Sequence, residues 1–198
     1  MQIKFEKREI KELLKAWIAI SLAFGILLSP SLMTNFERIN GFLIAFGISL
    51  FTVGLGFVIH ELAHKIVAQK YYCIAEFKAN NSMLILAIAM SFLGFILAAP
   101  GAVEVKGGVN KKQIGKISFA GPFSNFLLAI TFVTGIFFTT GLLQYFFFQG
   151  FFINSWLGFF NMIPFLPFDG IKIYKWNKIA YISLTGALLI MVILSLGI

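Results

Sequence analysis

Charge is what this sequence has least of. Only 12% of its 198 residues are Asp, Glu, Lys or Arg, against about 25% in a soluble domain. A soluble domain near this size still exposes about a third of the surface its unfolded chain would show. Half the usual supply of charge cannot cover that surface. With 59% hydrophobic residues and a mean hydropathy of +0.91, the composition excludes a water-exposed globule and predicts an all-α polytopic membrane protein. Cysteine is almost missing: Cys73 stands alone, so no intrachain disulfide can form and no redox compartment is signalled. Aspartate occurs once, as Asp169, and histidine twice, as His60 and His64. The sequence shows no internal repeat and no low-complexity segment, and no attached soluble domain is expected. No small-residue cleavage site follows the first apolar run, which is long enough to span, so it reads as a retained anchor.

What charge there is has a pattern. The net charge is +8, from 16 Lys+Arg against 8 Asp+Glu. In a soluble protein that excess would suggest nucleic acid. In a chain this apolar, basic residues mark the cytoplasmic edges of membrane spans, and no nucleic-acid partner is expected. Residues 1–15 mix both signs with Phe5, Ile10, Leu13 and Leu14 and read as an interfacial, cytoplasmic segment. Residues 16–198 read as a single membrane-embedded domain. Its uncharged runs are 16–33, 39–60, 79–103, 117–168 and 179–198. A span needs about 20 residues, so 117–168 holds two, with a turn around 139–150. About five transmembrane helices are expected.

Orientation adds one more feature. Five cations lie in 1–15, three in 65–78, four in 106–116 and three in 172–178, leaving only Arg38. Placing all four groups inside puts the N-terminus in the cytoplasm. Residues 65–78 and 104–116 then share a side, and 79–103 cannot be a simple crossing. It is expected to re-enter, as a hairpin or as a short helix flanked by extended backbone, with Gly94, Pro100 and Gly101 helping it turn. Such backbone survives at membrane depth only where protein or a wet cavity covers it.

The ionisable groups inside the apolar runs are the functional candidates. The two histidines form His60-Glu61-Leu62-Ala63-His64, the H-E-x-x-H pattern. On a helix, positions i and i+4 face one way, so both imidazoles can reach one zinc ion, with the intervening glutamate beside a water. Chance placement of two histidines and a following glutamate gives this pattern at a rate on the order of a few in ten thousand. A catalytic zinc needs a third protein ligand, and Asp169 is the candidate, at the end of the run NMIPFLPFDG from Asn161 to Gly170. Pro164 and Pro167 forbid a regular helix just before it. The histidine helix runs outside to inside, and the fold-back at 79–103 is what returns Asp169 to the same face. A third polar cluster, Gly121-Pro122-Phe123-Ser124-Asn125, reads as a helix start with Asn125 facing inward. Asn125 and Asn161 are each either buried amides joining helices or donors to a substrate backbone or oxyanion. Glu76 and Glu104 read as interfacial charges.

HELAH on a membrane helix, then AGPFSN, then FNMIPFLPFDG, resembles the site-2 protease family of intramembrane zinc metalloproteases (peptidase family M50), in a compact form without PDZ or nucleotide-sensing domain. The resemblance implies one zinc per chain on His60, His64 and Asp169, with Glu61 as catalytic acid/base and Asn161 lining the substrate site. It implies a three-helix catalytic core within about 41–170, in helices at 41–69, 117–140 and 145–168. It also implies cleavage of a transmembrane protein substrate within the lipid bilayer; the cation distribution places the active-site opening in the cytoplasm. Ile171 stands where many members carry a second glycine. A metal transporter or an inactive zinc-binding scaffold is the alternative. A transporter needs ionisable residues spaced along a path, and the spans hold one cluster. Nothing in the sequence sets the oligomeric state.

Overall fold

The computed structural model describes residues 3–29, 38–96 and 100–197. The polar loop at Glu37, the end of the first expected span (30–33) and residues 97–99 of the expected re-entrant segment lie outside the described residues. The helices are α1 (Lys7–Leu28), α2 (Arg38–Ser49), α3 (Leu55–Lys70), α4 (Asn81–Ser91), α5 (Lys111–Ile136), α6 (Gly141–Asn161), α7 (Gly170–Trp176) and α8 (Lys178–Gly197). A π-helical turn, Leu50–Gly54, joins α2 to α3 without a break. Two strands, β1 (Ile74–Ala79) and β2 (Gly101–Lys106), pair as one small sheet, so the expected all-helical chain carries a sheet as well.

Among the described residues three helices are long and apolar enough to cross a membrane: Ile39–Lys70, Lys111–Ile136 and Lys178–Gly197. The chain is thus a helical protein of membrane type, with three such helices where the uncharged runs predict about five. The other two candidates fall short for chemical reasons. α1 carries Lys11, Glu12 and Lys15 along its first half, and α6 sets Gln144, Gln149, Asn154 and Asn161 among its aromatics.

The fold divides into two compact units. One comprises residues 4–58 and 76–104. Here α1 is a single helix through both the charged segment and the apolar run. Its buried side chains Leu13, Ala16, Ile20 and Ala23 recur at helical spacing along one stripe. At Gly25 an added Cβ would stand 3.0 Å from the Phe46 backbone, so glycine sets how closely α1 meets α2. The Trp17 indole donates to the Leu50 carbonyl at 2.9 Å, at the π-turn. Glu9 is buried and accepts the Phe77 amide at 3.0 Å, which ties α1 to β1. Between the strands Asn80 caps α4 by accepting from the Met83 amide at 3.2 Å, and the Asn80 amide donates to the Pro100 carbonyl at 2.9 Å. A short helix, α4, thus lies in the chain between two paired strands, β1 and β2. Lys78 and Glu104 meet across the strands at 2.6 Å.

The other unit contains residues 59–75 and 105–198. α5 starts at Lys111 with a capping box: Asn110 accepts the Gln113 amide at 2.9 Å and Gln113 accepts the Asn110 amide at 2.9 Å. This corrects one expectation, since Gly121-Pro122 lies inside α5 and does not start it. The capping residues upstream nucleate the helix, and Pro122 is carried as an interior proline. α5 and α6 pack through reciprocal glycines. A Cβ at Gly135 would strike the Phe147 ring, and one at Gly150 would strike Phe132. Small residues of this kind let apolar helices approach where no hydrophobic force separates helix from lipid. Ala129, Ile136 and Phe151 form one apolar core there. Met162, Ile173, Leu184 and Leu188 form a second, which seats α7 and α8 against the end of α6.

Candidate metal centre

His60 and His64 lie one helical turn apart on α3, so their side chains leave the same face. Their rings stand 4.6 Å apart at 85° to each other. The Nε2 atoms are 3.0 Å apart. Asp169 is brought to them by the shape of the chain after α6. α6 stops at Asn161, short of Pro164, and the chain turns before α7 begins at Gly170. A Cβ at Gly170 would collide with the Met162 carbonyl, so only glycine lets α7 start so close to the end of α6. Asp169 Oδ2 then sits 3.1 Å from His64 Nε2 and 3.6 Å from His60 Nε2. All three donor atoms lie within 4.8 Å of one another.

These spacings fit a metal. A tetrahedral zinc with bonds of about 2.0–2.1 Å holds its donors about 3.3 Å apart, close to the separations of 3.0, 3.1 and 3.6 Å found here. Gly121 provides a second, independent fit. A Cβ at that position would overlap both His64 Nε2 and His60 Nε2. Glycine therefore keeps open the space toward which the two imidazole nitrogens point.

The candidate ligands are held from behind. The His64 Nδ1–H donates to the Ile117 carbonyl at 2.7 Å; a carbonyl can only accept, so Nε2 carries the lone pair. His60 Nδ1 meets Asn125 Oδ1 at 2.6 Å. Asn125 in turn donates to Asn154 Oδ1 at 3.1 Å, and Asn154 donates to the Gly150 carbonyl at 2.9 Å. Second partners of this kind orient metal-binding histidines. The other oxygen of Asp169, Oδ1, lies 3.4 Å from the Lys172 ammonium.

Glu61, the candidate acid/base, is buried on the turn between the two histidines. Asn125 is fully buried, with its amide engaged by His60 and Asn154. Asn161 ends α6 and donates to the Leu157 carbonyl at 2.9 Å. Two neighbours lie beyond what the sequence motifs indicate, Asn154 and Lys172, while Gly121 of the AGPFSN motif acts as a spacer. A signal for Asn154 exists, as an amide inside an uncharged run of 52 residues spanning 117–168. Gly121 carries no chemical signal, because its contribution is an absent methyl.

Over 178 residues the chain is 39% identical to a curated protein of Methanocaldococcus jannaschii named "Putative zinc metalloprotease MJ0611", with 88% of this chain and 87% of that one covered. It belongs to a zinc metalloprotease family. No protein-family model and no solved structure matches it. Zinc is the cofactor of such a metalloprotease, and it suits two imidazoles and a carboxylate. His60, His64 and Asp169 form the group that can hold it.

Proposed function

We propose that this zinc metalloprotease acts inside the membrane, as a site-2 protease-like endopeptidase. It hydrolyses a peptide bond in or near a transmembrane segment of a membrane-protein substrate. The observation that carries this reading is the gathering of His60, His64 and Asp169 donors within 4.8 Å, with both histidines on a helix of 32 residues apolar enough to span a bilayer. A soluble protease has no need to mount its metal there. In the proposed topology α1, the α2–α3 helix, α5, α6 and α8 cross the bilayer. β1, α4 and β2 form the membrane-inserted fold-back. The N-terminus and the active-site opening face the cytoplasm, as the distribution of cations suggests.

Zinc, when bound, supplies a Lewis acid that polarises the scissile carbonyl and makes water nucleophilic near neutral pH. Everything else falls to the chain. His60 and His64 present Nε2 lone pairs. Asp169 supplies the anionic oxygen, and Lys172 engages the other oxygen of that carboxylate. Glu61 takes the proton from the attacking water and returns it to the departing amine. Asn161 and Asn125 are the uncharged amides for a substrate backbone or oxyanion. Of the two, Asn161 is the better suited to substrate, because Asn125 is committed to His60. A substrate helix must unwind first, since its carbonyls are already hydrogen-bonded. β2, one of only two strands in its sheet, offers an edge on which the unwound segment can pair.

Wild type and Glu61→Gln, purified in detergent, test the reading with a transmembrane substrate carrying helix-weakening residues. The expected result is one zinc in each protein, cleavage by wild type, and a loss of at least about 10²-fold in Glu61→Gln. Zinc binding without cleavage by wild type would favour the transporter or scaffold instead.

A further inference from the structure

Two asparagines on neighbouring helices, Asn125 on α5 and Asn154 on α6, have no exposed surface. Amides of this kind are costly to bury unless each polar atom finds a partner. Here they form a line with a defined direction. It begins at the Gly150 carbonyl, which has no proton to give and accepts the Asn154 Nδ2–H at 2.9 Å. Asn154 must therefore turn Oδ1 toward Asn125, and it accepts the Asn125 Nδ2–H at 3.1 Å. Asn125 is then left with Oδ1 toward His60, where only a proton on Nδ1 satisfies the 2.6 Å contact. With Nδ1 protonated, the neutral ring keeps its lone pair on Nε2, the atom 3.0 Å from His64 Nε2 and 3.6 Å from Asp169 Oδ2.

The reverse polarity fails at the far end. A His60 protonated on Nε2 would need Asn125 turned over, its oxygen facing Asn154. Asn154 would then turn as well, and its own oxygen would face the Gly150 carbonyl with no proton between them. The Gly150 carbonyl would keep the backbone N–H of its own helix, but the buried Asn154 oxygen would be left unpaired, at the full cost of its lost hydration.

We infer that Asn154 is a positioning residue of the zinc site: through Asn125 it fixes the tautomer of His60 and so the direction of one metal-binding lone pair. The inference rests on the proposed zinc ligands and names a residue that touches none of them. An amide relay sets this direction without adding a charge, which suits a site built into apolar helices. His64 needs no relay, since the Ile117 carbonyl fixes it directly.

The test is a double-mutant cycle read as zinc affinity, by competition with a chromophoric chelator on the full chain in detergent. Asn154→Leu removes the acceptor of the Asn125 Nδ2–H, and zinc affinity should fall about 10–100-fold, the usual cost of losing such a partner. Asn125→Asp places an acceptor toward His60 whichever way it turns. In that background Asn154→Leu should change zinc affinity less than about twofold, because the relay has nothing left to orient. An equal loss in both backgrounds would make Asn154 a helix-packing residue and overturn the inference, as would no loss in either. A wild type that binds no zinc would instead overturn the metal site itself. If the variants fold poorly, ¹⁵N-histidine spectra of zinc-stripped wild type read the tautomer directly. Nδ1–H on His60 supports the relay, and Nε2–H overturns it.

Discussion

The candidate metal site depends on one absent methyl as much as on the residues that could bind the ion. Gly121 faces His60 and His64 so closely that a Cβ would overlap both Nε2 atoms. Gly121→Ala should therefore reduce zinc content from one ion per chain to near zero while leaving α5 helical, as metal analysis and circular dichroism would show. Alanine is the better helix former, so the loss cannot be assigned to propensity. Asp169→Ala should lower zinc content without that steric effect, because two imidazoles remain. At this scale the sequence is legible where chemistry is visible in a letter: His60, His64 and Asp169 converge as their scarcity suggests. It is opaque where geometry decides. An asparagine at position 125 suits substrate and packing roles equally, and only the 2.6 Å contact to His60 Nδ1 places it behind the ligand.

Helices here are held by features that hydropathy does not record. The Gly135–Phe147 and Gly150–Phe132 contacts leave no room between α5 and α6, so Gly135→Ala should lower the unfolding free energy by about 1–3 kcal/mol, the cost of overpacking. Denaturant titration in detergent would measure it. Zinc affinity should be unchanged, since neither residue of that pair belongs to the ligand set. Lys65, one residue beyond His64, is buried and donates to the Ala75 carbonyl at 2.7 Å, tying α3 to the start of β1. Apolar runs locate most of the helices but not their ends. α5 begins at Lys111, before the uncharged run, because Asn110 and Gln113 cap it. α6 ends at Asn161, well before Phe168, because Pro164 and Pro167 cannot continue it. The strands are short, but they leave a trace in the sequence: Ala75-Glu76-Phe77-Lys78-Ala79 and Val103-Glu104-Val105-Lys106 alternate apolar and charged residues, with Ala75 and Phe77 buried.

For the molecule as a whole, charge asymmetry and metal geometry make the same demand. His60 and Asp169 meet, and 15 of the 16 cations fall in four groups that the proposed fold-back puts on one side. A cysteine at Val109, in a Cys73→Ser background, should react with a membrane-impermeant maleimide only from the cytoplasmic side; labelling from outside would remove the fold-back. Composition makes membrane residence legible. The number of spans is less so, because the polar residues of α1 and α6 lower their apolar character. The metal centre itself is tested most directly by X-ray absorption at the zinc edge of the purified, full-length protein. Two imidazoles and oxygen donors at about 2.0–2.1 Å, without sulfur, are the expected ligands. A sulfur shell near ~2.3 Å, or a spectrum lacking imidazole scattering, would contradict the assignment of His60, His64 and Asp169.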